Sequence, residues 1–275
     1  MVDIIEDVIL TLRKNGVYLN YQNGTLKTKS AKGAMTEEVI AIIKNNRDNL
    51  IRYFESVSLS TKLVRKQRNL DAPLSYSQYR LWVLDQVGGG SPQYNMSSAM
   101  WLRGDLNITA FKKALFNIIQ RHEVLRTRFS MGSENDVVQL VEKVENIRED
   151  DYLTITSIDG GEENIAQFFA KESVRSFDLS QDLMIRVHLA SVNSAEHIVV
   201  FTMHHIASDG WSLKILVDEF SNLYSAYVMG EESSLVPLNI QYSDYSFWQR
   251  ENLQGDAINE QLRYWEKKLA GLPVV

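Results

Sequence analysis

The segment from Leu183 to Met203 restricts this chain more than any other. Two apolar runs, LMIRVHLASV and HIVVFTM, flank Asn193-Ser194. The second run, His197–Met203, is almost unbroken, which predicts a strand buried on both faces. Two such runs around a short polar break predict an antiparallel pair. A sheet of this kind needs cover, and the rest of the chain offers helices for it.

From Pro73 onward, helical and strand patterns mix. Ser75–Gln86, Thr109–His122, Asn164–Ser173 and Trp211–Met229 carry helical spacing, and Gly230 closes the last of these. Ala99–Arg103, Leu125–Phe129, Val137–Val144 and Tyr152–Ile158 read as strands, and residues 242–269 as a helical tail. This mixture predicts an α/β fold of sheet and helix layers. The first part differs. A helix over Asp3–Lys14 stops at Asn15-Gly16, a hairpin turns at Asn23-Gly24, and a helical stretch from Thr36 breaks near Asn45-Asn46. Residues 56–72 have weak periodicity and predict a linker between domains 1–55 and 73–275.

Directly after HIVVFTM comes MHHIASDGWS, Met203–Ser212. Successive strand residues face opposite ways, so one histidine should enter the core and the other an open cleft. That geometry argues against a shared metal ion, and the HExxH spacing is absent, so no metal site is expected. A neutral imidazole at a strand end, before a turn and a helix, suits a general base. Asp209 would orient the ring or hold the loop, and Gly210 permits a positive φ or a close approach of ligand. On the residues alone a second reading also stands, in which both histidines are hydrogen-bonded structure.

Several classes lack support. There is no cysteine, hence no thiol nucleophile or thiolate zinc site, as in a protein of a reducing, cytoplasmic compartment. A net charge of −6 without a basic run does not suit nucleic acid. No apolar run approaches the roughly 18 residues of a membrane span, and the acidic N-terminus lacks the pattern of a secretory signal. GxSxG, GxxxxGK and GxGxxG are missing.

MHHIASDGWS resembles the HHxxxDG signature of non-ribosomal peptide synthetase condensation domains. SYSQYRLWVL (75–84), RHEVLRTRF (121–129) and YSDYSFWQ (242–249) resemble further family blocks in the family's order. The resemblance implies a chloramphenicol-acetyltransferase-like fold, a mixed sheet with helices, and amide formation between two thioesters carried on the phosphopantetheine arms of partner carrier proteins. No cofactor is then bound directly. It marks His205 as the base or positioning residue, with His204, Asp209 and Gly210 beside it. It implies that Asp209 pairs with Arg121, that Arg126 lies near the site, and that Trp248 borders the tunnel. The resemblance covers the first of the family's two lobes, so the chain by itself is expected to be inert or nearly so. The alternatives are a non-enzymatic docking module and a free coenzyme A-dependent acyltransferase of the same fold.

Residues 2–54 resemble the N-terminal docking domains of the tubulysin-synthetase type, a helix, a β-hairpin and two helices that receive a C-terminal segment of the preceding synthetase subunit. A two-residue turn at Asn23-Gly24 places Tyr21 opposite Leu26, Leu19 opposite Thr28 and Val17 opposite Ser30. Those residues should pack inward. Tyr18, Gln22, Thr25, Lys27 and Lys29 share the other face, and Asn15–Ala34 holds Lys27, Lys29 and Lys32 without an acid. An acidic peptide is the expected partner of Tyr18, Thr25, Lys27 and Lys29. Edge lysines also serve simply to discourage strand addition.

Overall fold

The computed structural model describes residues 2–22, 25–31, 33–60, 63–66, 71–132, 136–253 and 256–272. They form two compact units, residues 1–62 and 63–275.

In the first unit, α1 (Val2–Lys14) leads into the hairpin β1 (Val17–Gln22) and β2 (Thr25–Ser30), followed by α2 (Glu37–Asn45) and α3 (Arg47–Ser60). Gly16 takes φ 72°, where a side chain would be strained, and lets the chain leave α1 for β1. Asn46 falls between α2 and α3, at the expected break. Ile5, Ile9, Leu12, Val17, Val39 and Leu50 are buried, so α1 and β1 share their core with both later helices. The register pairs Tyr21 with Leu26, Leu19 with Thr28 and Val17 with Ser30, as expected, but Thr28 and Ser30 are exposed rather than packed inward. The turn residues Asn23 and Gly24 themselves lie outside the described residues. α3 runs to Ser60, so the stretch read as linker begins as helix: weak apolar periodicity does not prevent helix where Ser, Leu and Val still form its backbone bonds.

The second unit holds two sheets. β4 (Asn95–Arg103), β7 (Leu153–Ser157), β8 (Ile185–Ser191) and β9 (Glu196–His204) form one, in the order β4-β9-β8-β7. β9 is central, antiparallel to both neighbours. β7 and β8 are parallel, which requires a crossover, and α6 (Glu162–Ser173) lies within it. Phe201, Met203 and Val199 face α5 (Ile108–Arg121) and α7 (Gly210–Val228), packing with Phe111, Ile118, Leu216 and Phe220. Thr202 and His204, two apart on β9, take the opposite face. β4 is longer than its expected Ala99–Arg103 because polar Asn95, Ser97 and Ser98 still pair along β9.

The second sheet has β6 (Val137–Val141) between β5 (Thr127–Met131) and the short β3 (Ala72–Pro73), which occupies the far end of the expected linker. α4 (Tyr76–Gly88) and α8 (Tyr242–Asn252) are tied to it by buried polar groups. The Gln78 amide donates to Gln139 Oε1 at 3.1 Å, and Gln139 donates to Ser246 Oγ at 3.0 Å. Tyr76 N–H donates to Gln249 Oε1 at 2.8 Å, and Arg250 Nε to the Leu74 carbonyl at 2.7 Å. Lys66, upstream of β3, gives its backbone N–H to Asp244 and its ammonium to Glu251. A last helix, α9 (Asp256–Leu269), follows α8. Among the described residues no helix is long and apolar enough to cross a membrane.

Candidate active site

His204 ends β9 and is 1% exposed, whereas His205, the next residue, is exposed. The alternation expected from strand geometry therefore separates the two rings. Their hydrogen bonds separate them further. Ile206 N–H donates to His204 Nδ1 at 3.1 Å, so in the neutral ring the proton sits on Nε2. Among the described residues, that buried Nε2 has no hydrogen-bond partner. Edge contacts from Tyr94 and Phe177 surround the ring. Burial, with His205 and Arg186 nearby, pushes the His204 pKa down to about 4. His204 is thus a neutral, structural imidazole.

His205 carries the opposite tautomer. Its Nδ1 lies 2.6 Å from the Ser208 carbonyl, which accepts only, so Nδ1 bears the proton and Nε2 keeps the lone pair. Its backbone N–H donates to the Tyr94 carbonyl at 2.8 Å. Two backbone carbonyls, from Tyr94 and Ser208, fix the residue and its ring. His205 borders a groove of about 930 Å³, shared with Arg80, Tyr94, Ser208, Asp209, Tyr242 and Tyr245. The arrangement offers one oriented imidazole at the edge of an open groove.

Asp209 is at the groove but its carboxylate caps α7. It accepts from Ser212 N–H at 2.8 Å and from Ser212 Oγ at 2.6 Å. Those bonds, then Trp211 N–H and the neighbouring His205, hold its carboxyl below the usual range despite partial burial. The expected pairing with Arg121 is not what the structure shows. Arg121 donates to both oxygens of Glu219 at 3.1 Å and to the Val236 carbonyl at 2.6 Å. Glu219 also meets His122 Nε2 at 2.6 Å. The helix turn from Asp209 satisfies the carboxylate locally, and Glu219, lower on α7, reaches the guanidinium. Gly210 is the first residue of α7 and is not in the left-handed region. A Cβ there would meet open space, so of the two uses a glycine permits here the room for a close approach is present and the positive φ is not used.

Arg126 and Trp248 do not border this groove. Arg126 lines a separate cavity of about 350 Å³ with Lys66, Glu123 and Glu142, and its guanidinium donates to the Glu142 carbonyl. The short helical turn at Glu123–Arg126 rotates it away from its neighbour Val124, which does border the groove. Trp248 stacks on Tyr245 at 5.8 Å, and it is Tyr245, with Tyr242, that faces the groove. The i, i+3 spacing of those two tyrosines is a signal that sequence reading missed. Glu219 and the Ser208 carbonyl carry no comparable local signal.

In the hairpin, Tyr18 is 55% exposed, and Thr25, Lys27 and Lys29 are exposed as well. Among the described residues β2 pairs with β1 alone. Ala31 N–H donates to the Gly16 carbonyl, which fixes the phase of the ladder. Tyr18–Lys29 and Asn20–Lys27 are then the hydrogen-bonded pairs, and Leu26, Thr28 and Ser30 turn their backbone groups outward.

An oriented imidazole at a strand end above an open groove, on a mixed sheet covered by helices, fits the chloramphenicol-acetyltransferase-like fold. Solved structures agree on that fold. The X-domain from teicoplanin biosynthesis is 30% identical with a TM-score of 0.68, over 77% of this chain and 46% of that one. The first condensation domain of the CDA synthetase shares the fold at 16% identity and a TM-score of 0.64, over 74% of this chain and 52% of its own. Residues 69–275 match the condensation domain family, and the chain belongs to it. Residues 5–56 match the TubC N-terminal docking domain. Malpinin synthetase of Mortierella alpina is 40% identical over 209 residues, 76% of this chain and 3% of that protein. Bacitracin synthase 3 of Bacillus licheniformis is 39% identical over 203 residues, 74% of this chain and 3% of that protein. The chain thus spans about half of these solved structures and a few per cent of these synthetases.

Proposed function

We propose that the chain is part of a non-ribosomal peptide synthetase subunit, in which the docking unit receives the preceding subunit and the condensation unit forms an amide. The substrates are two thioesters on the phosphopantetheine arms of carrier proteins. The acceptor amine attacks the donor carbonyl carbon, a C–N bond forms, and the C–S bond breaks. The amine proton passes to His205 Nε2 and from there to the departing thiolate. The observation that carries this reading is the 2.6 Å contact between His205 Nδ1 and the Ser208 carbonyl, which in the neutral ring puts the proton on Nδ1 and leaves the Nε2 lone pair free.

Single-turnover amide formation with loaded donor and acceptor carriers, in a synthetase that includes this sequence, tests the role. His205→Ala should lower the rate by about 10²–10⁴-fold and leave carrier binding intact. An unchanged rate at saturating carriers removes His205 as the base. A cytoplasmic location for this reaction fits the cysteine-free sequence, which needs no oxidising compartment.

For the docking unit, the outward backbone groups of Leu26, Thr28 and Ser30 offer an edge for an added strand. Lys27 and Lys29 on the exposed face favour an acidic segment from the upstream subunit. This docking role stands even if the condensation unit acts elsewhere, since the two units have separate cores.

A further inference from the structure

Beside the His205 groove lies a second hollow of about 100 Å³. Leu125, Met203 and Leu216 form its floor, all three buried. Val124, Ala207 and Ile215 form an apolar rim that also borders the groove, so the hollow opens into it. Ser208 belongs to both spaces, and its carbonyl is the group that holds His205 Nδ1. The hollow is therefore one residue away from the base.

Its polar lining is already engaged. Ser208 Oγ donates to the His204 carbonyl at 3.0 Å, Ser212 Oγ donates to Asp209 at 2.6 Å, and His122 Nε2 is held by Glu219 at 2.6 Å. A polar side chain entering here would give up water and find these groups committed, which is costly. An aliphatic side chain would gain burial against Met203 and Leu216. An apolar cavity of about 150 Å³ accepts a benzene ring, so this one suits a branched side chain of roughly three or four carbons.

We infer that this hollow is a side-chain subsite, taking the aliphatic side chain of an aminoacyl residue whose reacting group is presented at His205. The inference rests on the reading of His205 as the base, but its test does not use turnover, so failure of one is distinguishable from failure of the other.

The test is a titration of the chain, ¹³C-labelled at Ile, Leu, Val and Met methyl groups, followed by NMR. N-acetyl-L-leucine methylamide imitates the acylated donor residue, and L-leucinamide imitates the acceptor with its free amine. The corresponding serine compounds are the comparison. At least one leucine probe should shift the methyl signals of Met203 and Ile215 saturably, with affinity at least about tenfold above its serine counterpart. Saturation by the acetylated probe assigns the subsite to the donor, and by leucinamide to the acceptor. Ile215, at the rim, is 40% exposed, so Ile215→Trp closes the mouth without disturbing the core and should abolish the shifts, while Ile215→Val keeps them. Equal affinity for leucine and serine probes, shifts that avoid Met203 and Ile215, no saturable shift from either leucine probe, or wild-type affinity in a folded Ile215→Trp chain would each overturn the inference. The leucine–serine comparison on the unaltered chain decides the matter if that variant does not fold.

Discussion

β2 and β9 are both strands, yet the chain uses them in opposite ways. β2 is exposed at nearly every position and lies at the margin of a two-stranded sheet. β9 is buried from His197 to His204 and has a strand on each side. In β2 the proposed working surface is the side of the strand, where among the described residues no second strand pairs and Lys27 and Lys29 are exposed. In β9 the working surface is the end of the strand, where the ladder stops and one side chain passes from core to groove. A side surface tolerates substitution because recognition is spread along the backbone. An end surface depends on the packing that holds the whole strand in place.

The sharpest way to break this contrast is to remove one side chain from each strand. Phe201, 1% exposed, packs against Phe220 at 5.8 Å. Phe201→Ala should cost about 3–5 kcal/mol. All five tryptophans lie beyond residue 80, so urea unfolding followed by tryptophan fluorescence reads this unit alone. Thr28→Ala on β2 should change stability by less than about 0.5 kcal/mol, measured by amide exchange of β1. Comparable losses at the two positions would end the distinction between side and end.

Next in size is a pH effect confined to β9. His204 has a folded pKa of about 4, below its ordinary value of 6.5. Between these values the unfolded chain binds a proton that the folded chain refuses. Stability therefore falls as pH drops from about 6.5 toward 4, by on the order of 2 kcal/mol between pH 7 and pH 5. In His204→Asn, whose side-chain oxygen still accepts from Ile206 N–H, this share of the slope should vanish. If urea midpoints of wild type and variant shift equally with pH, His204 is not the buried neutral group described.

How much of this was legible in the sequence follows the range of the interactions. The burial of β9 was legible because an unbroken apolar run has few other uses, and the divergence of His204 from His205 because period two is built into any strand. The hairpin register was legible because two strand residues must close on a two-residue turn. Long-range choices were not. Glu219 rather than Asp209 takes Arg121, though the partners are 98 residues apart and nothing local marks the pair. The Gln78–Gln139–Ser246 chain joins α4, β6 and α8 through residues that individually look like surface amides and a surface serine. Such polar contacts appear only once tertiary packing has removed water from around them. Trp248 was misplaced for a related reason: helix phase, not motif membership, decides that Tyr242 and Tyr245 face the groove.

A smaller effect tests the side of β2. Each exposed ion pair contributes roughly 0.2–1 kcal/mol. Lys27→Glu with Lys29→Glu should weaken an acidic upstream segment by about 0.4–2 kcal/mol in calorimetry, with most of the difference lost in high salt. Undiminished affinity would mean that the lysines only discourage unwanted strand pairing. A segment N-methylated at alternate residues should lose binding in wild type and variant alike, because it cannot pair with Leu26, Thr28 and Ser30.

The smallest expected difference compares a helix cap from each unit. Thr36 accepts from Val39 N–H at 3.3 Å, a single, long, neutral bond. Asp209 accepts two shorter bonds from Ser212, is ionised, and stands at the positive end of α7. Thr36→Ala should therefore cost about 0.5 kcal/mol, and Asp209→Ala about 1–2 kcal/mol. The sign with pH separates them as well. The Asp209 carboxyl is held below its ordinary pKa by Ser212, so its contribution is present above the unfolded value and is lost as pH falls through the folded one, whereas the Thr36 cap is indifferent to pH. Asp209→Asn keeps the acceptor and removes the charge, so it should recover most of the cap but none of the pH dependence. Were Asp209→Asn instead to match Asp209→Ala in stability at pH 7, the carboxylate would be acting through its charge near His205 rather than through the turn it closes, and the end of β9 would be held in place electrostatically.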